Sequence, residues 1–186
     1  MNKRPACKIN DLKYPSPDPI SGRTSTICRS MACTMLSRVA CSPEQEKQWM
    51  EFFPEKTCAY CGKKATHLDH LHAYIIDRMP TGYGTEAANL VPCCTECNQP
   101  KSNMYWEDFM RSENCHHIGD AETTDPKVAM EKRIKIIKQF QKAMPPKKVV
   151  IDEKILTKWK VLLKDFDNKL KEVNAILLEI KTQLYT

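Results

Sequence analysis

At 186 residues the chain is long enough for one main domain with extensions. Its 41% apolar and 28% charged residues support a modest core, and no apolar run approaches the ~18 residues that a membrane-spanning helix needs. A net charge of +6 favours a polyanionic partner without naming one, since many basic proteins never meet nucleic acid.

The opening M-N-K-R-P-A-C-K-I-N is basic with no apolar stretch behind it, so secretion is not expected. Ten cysteines in such a chain point to reduced thiols and metal binding, and hence to a cytoplasmic location. Residues 1–24 hold Pro15, Pro17 and Pro19 among polar residues with no period, which predicts an arm. Its Lys3, Arg4, Lys8, Lys13 and Arg23 suit either a solvated tail or contact with DNA phosphates. In 25–41, Ile27, Met31, Met35 and Val39 recur at four-residue steps and predict a helix. Cys28, Cys33 and Cys41 lack paired spacing, so buried free thiols are expected in preference to a second metal site shared with Cys115. Ser42, Pro43 and Gln45 supply a cap, a first-turn proline and a capping box for a helix stopping before Pro54. Trp49, Phe52 and Phe53 on it are expected in the core.

The stretch from Cys58 to Asn103 is the most informative. Cys58/Cys61 and Cys94/Cys97 are two C-x-x-C pairs, the spacing of a closed four-thiolate structural zinc site. Between them, His67–Ile76 has strand composition and contains Asp69, His70 and His72, and Asn89–Pro92 predicts a second strand. Gly82 and Gly84 flank Tyr83 in a loop where positive φ is expected. Asn98 is expected to open a helix continuing through 104–112, and Cys115, His116 and His117 to form a surface turn.

Further on, Asp125 and Pro126 cap a helix bearing Met130, Ile134, Ile137 and Phe140 on one face. Lys127, Lys132, Arg133, Lys135, Lys138, Lys142, Lys147 and Lys148 make this the densest basic run, suited to a solvated face or to phosphates. Last, Ile155, Trp159, Leu162, Phe166, Leu170, Val173, Leu177, Ile180 and Leu184 draw one apolar stripe along a helix of about 30 residues. That stripe suits an antiparallel pairing with the 126–143 helix and contacts with a second chain.

The order Cys-x-x-Cys, Asp-His, Asn-Leu, Cys-x-x-Cys-Asn-x-x-Lys resembles the HNH (ββα-metal) nuclease family over roughly residues 55–105. The matching residues are Cys58, Cys61, Asp69, His70, Asn89, Leu90, Cys94, Cys97, Asn98 and Lys101. The loop T-G-Y-G-T-E-A-A-N-L-V-P looks like that of restriction-type members, whereas L-H-A-Y-I-I-D replaces the apolar pair and proline that follow Asp-His in many relatives.

The resemblance implies a small zinc-stapled ββα-metal core, and the flanks read from composition and periodicity complete the expectation: an α+β fold with that core (42–112) between an N-terminal arm and helix (1–41) and a C-terminal helical region suited to dimer contacts (113–186). The resemblance also implies His70 as general base, Asp69 and Asn98 as ligands of a catalytic Mg²⁺ or Mn²⁺, Asn89 as a loop brace, and Lys101 as a phosphate contact. His72 is a candidate substrate contact, because it shares a face with His70 if the strand stays extended. The implied activity is phosphodiester hydrolysis in double-stranded DNA by a homodimeric restriction endonuclease. The rivals are a monomeric homing-type or nicking enzyme, an RNA-directed nuclease, and a non-catalytic zinc-stapled DNA-binding module.

Overall fold

The structure, a computed structural model, describes residues 24–36 and 39–185. The basic arm expected in 1–24 therefore lies, apart from Thr24, outside the described residues. The chain is mainly helical with two small antiparallel sheets: α1 (Thr24–Met35), α2 (Pro43–Phe52), β1 (His67–His70), β2 (Ile75–Ile76), β3 (Met79–Pro80), β4 (Leu90–Cys93), α3 (Thr95–Lys101), α4 (Trp106–Arg111), α5 (Pro126–Ala143) and α6 (Glu153–Tyr185).

Several boundaries differ from expectation for local reasons. The first helix runs only to Met35, and residues 39–42 have no regular structure. α2 carries the complete capping box: Gln45 N–H donates to Ser42 Oγ, and Ser42 N–H donates to Gln45 Oε1. β1 stops at His70, well short of Ile76, because the Asn89 side chain takes both backbone groups of His72. α3 opens at Thr95 with Cys94 at its cap, so Asn98 sits inside the helix. It ends at Ser102, whose φ of 45° breaks the chain before α4 begins. Gly82 has the expected positive φ (91°), whereas Gly84 is not among the positive-φ residues.

β1 and β4 pair antiparallel, with His67 opposite Cys93 and His70 opposite Leu90. α3 follows β4 directly. This two-strand, one-helix unit rests on the larger core, in which Tyr60, Leu71, Val91, Trp106, Phe109, Ile137 and Phe140 are fully buried. α2 and α5 close over it. Phe53 meets the Phe140 ring edge-on at 5.0 Å, and Trp49 Nε1–H donates to the Leu90 carbonyl. All three α2-end aromatics pack against this core.

A second, smaller core lies on the other side. Trp159 and Leu163 of α6 meet Cys28 and Ala32 of α1 and Ile75 of β2. α6 thus packs on α1 and the β2–β3 hairpin, not along α5, and its buried positions are 159 and 163 while Leu162 is exposed. Trp159 Nε1–H donates to the Arg78 carbonyl, and the Arg78 guanidinium pairs with Asp167 at 2.8 Å. Beyond Asp167 the stripe on α6 runs into solvent.

Candidate metal centre and the adjoining groove

The two C-x-x-C turns lie at opposite ends of the β1–β4 unit in sequence and together in space. The sulfurs of Cys58, Cys61, Cys94 and Cys97 all fall within 4.8 Å of one another, and all four residues are buried. None of the described cysteines is in a disulfide. The electrostatics show why such a cluster suits a cation. Close contact with Cys61, Cys93 and Cys97 holds the Cys58 thiol far below the ordinary thiol range. Its neighbour responds oppositely: the contact with Cys58 pushes Cys61 up to about 12. Buried thiols this close resist ionising together unless positive charge sits among them, and a tetrahedral Zn²⁺ supplies that charge for four thiolates. The donor set therefore fits a metal ion such as zinc.

Two more buried cysteines flank the cluster. Cys93 donates its thiol to the Cys94 carbonyl at 3.2 Å. Cys115 is 5% exposed and lies against Cys97, so it belongs to the core, whereas His116 is exposed and His117 half-buried; the surface turn expected of 115–117 holds for His116 and not for Cys115. His117 anchors it through Nε2 to the Met110 carbonyl at 2.6 Å. Cys28 belongs to the other core and Cys33 and Cys41 are exposed, so these thiols do not converge with Cys115 on a second site.

Beside the cluster, Asp69, His70 and Asn98 line one groove of about 730 Å³, with Arg29, Tyr74, Asp77 and Arg78 on its other walls. Asp69 is 8% exposed, and its Oδ2 accepts a hydrogen bond from Tyr60 Oη at 2.7 Å and forms an ion pair with Lys101 Nζ at 2.9 Å. Lys101 also donates to the His70 carbonyl at 2.8 Å. The phosphate contact expected of Lys101 is thus replaced by a fully buried ammonium that ties α3 to the end of β1. Burying that charge is tolerable only because a carboxylate and a carbonyl both receive it.

His70 is half-buried, its Nε2 is 2.9 Å from Thr85 Oγ1, and its ring meets Tyr74 edge-on at 5.0 Å. Burial lowers its pKa from the ordinary 6.5, outweighing the opposing pull of Asp69. His72 does not share the face of His70. Past the end of β1 it turns away, stacks on Tyr83 with ring centroids 4.4 Å apart, and accepts from the Gln141 amide at 2.8 Å. Burial lowers its pKa as well. Asn89, fully buried, receives His72 N–H and donates to the carbonyls of His72 and Gly84, so its side chain pins both ends of the inserted loop.

Tyr60, Thr85, Arg29 and Arg78 escaped the sequence reading. Tyr60 lies between two cysteines, where its spacing gives no hint that its hydroxyl meets Asp69. Three of the six basic residues in α5 are engaged: Lys138 with Glu107, Lys132 with Glu122, and Arg133 against the Ile118 carbonyl. Comparison of the chain with protein-family models, with curated proteins and with solved structures found no match.

Proposed function

We propose that the protein is a metal-dependent DNA endonuclease of the HNH type, of the restriction class, cutting duplex DNA as a homodimer in the cytoplasm. The observation that carries this reading is the common groove of Asp69, His70 and Asn98, tied to the thiol cluster through Asn98, which follows Cys97, and through Tyr60, which lies between Cys58 and Cys61 and donates to Asp69. The cluster serves the fold: a closed four-thiolate zinc site has no position for substrate.

With His70 Nε2–H donating to Thr85 Oγ1, Nδ1 is left as the nitrogen to take a proton from water. A lowered pKa keeps that nitrogen unprotonated at neutral pH, as a general base requires. Asp69 Oδ2 is committed to Tyr60 and Lys101, so Oδ1 together with the Asn98 amide oxygen would hold the divalent cation. Both are hard oxygen donors suited to Mg²⁺ or Mn²⁺, and a cation there would stabilise charge on the departing 3′ oxygen. Asn89 acts through the loop it pins, without touching substrate.

A second reading has its own support. The Lys101 ammonium sits where it offsets the Asp69 charge, which disfavours a cation on that carboxylate and favours a non-catalytic zinc-stapled DNA-binding module. Single-turnover digestion of a mixed-sequence duplex with Mg²⁺ decides between them. Under the nuclease reading, His70→Ala lowers the rate about 10²–10⁴-fold with zinc content and DNA binding retained. A wild type that binds duplex but never cuts it, with Mg²⁺ or Mn²⁺, leaves the binding module.

A further inference from the structure

α6 carries a seven-residue repeat. Leu156, Leu163, Leu170, Leu177 and Leu184 occupy one position of the heptad, and Trp159, Phe166, Val173 and Ile180 the other apolar one. The structure divides this seam in two. Its first part is used internally, with Trp159 and Leu163 buried on α1 and β2. Its second part continues on the same face with no such cover: Phe166 is 43% exposed, Leu177 47% and Leu184 73%. Ile176 adds a further exposed apolar side chain beside the seam. Together these residues expose on the order of 500 Å² of apolar surface, the upper end of what monomers carry in one patch.

We infer that the segment from Phe166 to Leu184 pairs antiparallel with the same segment of a second copy, about a twofold axis near Ala175. A second copy is already part of the reading above, but this surface and its direction rest on α6 alone. The segment matches itself under that operation. Leu170 meets Ile180 of the other chain, Val173 meets Leu177, and Phe166 meets Leu184, so every apolar layer is filled by residues from both sides. The overlap spans about 28 Å at 1.5 Å per residue. With the polar side chains along its edges it approaches the ~800 Å² per partner of a standard interface.

Charge selects the direction. In the antiparallel pair, Asp167 of each chain flanks Lys181 of the other, giving two opposite-charge contacts related by the twofold. Asp167 is already held in place by Arg78, whereas Lys181 has no ion pair among the described residues. In a parallel pair the same edge positions set Lys169 against Asn174 and Ile176 against Lys181, with no complementary charges. Leucine at one seam position with valine and isoleucine at the other also drives parallel coils beyond two strands.

The test uses the full chain. Light scattering after size-exclusion chromatography at ~10 µM should give twice the 21.5 kDa chain mass. Val173→Glu/Leu177→Glu should run at the single-chain mass with helix content and melting temperature retained, because both side chains are exposed. Orientation is read by zero-length carbodiimide crosslinking of mixed isotope-labelled and unlabelled chains. Lys181 and Asp167 lie about 21 Å apart along one helix, so an amide between them can form only across an antiparallel pair. As a milder probe, Lys181→Glu should weaken association about tenfold at low salt and less at 0.5 M salt. A monomeric wild type, a dimer that survives Val173→Glu/Leu177→Glu, a dimer lacking the Lys181–Asp167 crosslink, or one unmoved by Lys181→Glu would each overturn the pairing.

Discussion

Lys101→Met is the substitution that most directly tests how the groove is built. The wild-type ammonium is fully buried, pairs with Asp69 Oδ2 at 2.9 Å, donates to the His70 carbonyl at 2.8 Å, and lies 5.8 Å from the centre of the Tyr60 ring. Methionine fills much the same volume and removes the charge. Asp69 is then left buried with Tyr60 as its one remaining donor among these groups. Removing one partner of a buried ion pair costs about 3–5 kcal/mol. For a chain of this size that corresponds to roughly 6–20 °C in melting temperature, at about 2–4 °C per kcal/mol. Asp69→Asn/Lys101→Met removes both charges, and should be several-fold less destabilised than the two single changes added together. The assay is equilibrium urea unfolding of the four proteins at matched, saturating zinc. A loss below about 1 kcal/mol for Lys101→Met, the value of an exposed pair, would refute the buried network. It would return Lys101 to the surface as a candidate phosphate contact.

Chelation should unfold the β1–β4 unit, because binding energy in four-thiolate sites is folding energy; one zinc per chain by metal analysis and a lower, chelator-dependent melting temperature are expected. Stability should rise with pH just below 6.5 on account of His70 and His72: burial depresses both pKa values, so the unfolded chain binds more protons in that window and the folded state loses ground as pH falls through it. His117, whose pKa is raised through its bonds to Cys115 and Met110 against the effect of burial, works in the opposite sense, so the expected measurement is a shallower urea-midpoint-versus-pH slope in His70→Gln/His72→Gln than in the wild type. Asn89→Ala strands the backbone groups at His72 and Gly84, which should cost about 1–3 kcal/mol and raise amide exchange across 71–89 while zinc content stays unchanged.

The four cysteines were legible because two-residue spacing is a local geometric constraint: once two such turns exist, bringing four sulfurs within 4.8 Å needs only that the strands between them pair. The caps at Ser42 and Asp125 were legible for the same reason, since a cap is settled within four residues. What failed was decided at a distance. Lysine at position 101 suits surface and interior equally until one knows that Asp69, 32 residues earlier, and the His70 carbonyl wait beneath it. Alternation along an extended strand put His72 beside His70, but the pattern carried no sign that Asn89 would capture the backbone of His72 and end the strand early. The long stripe was visible as a helix but not as two different surfaces. A heptad repeat does not record where its internal partner stops, and here α1 and β2 reach Leu163 and go no further. The physical consequence is that the fold unit around the thiols can be argued from spacing, whereas the groove chemistry depends on Tyr60, Thr85 and Lys101. Each of these acts through hydrogen bonds or ion pairs that the three-dimensional packing creates.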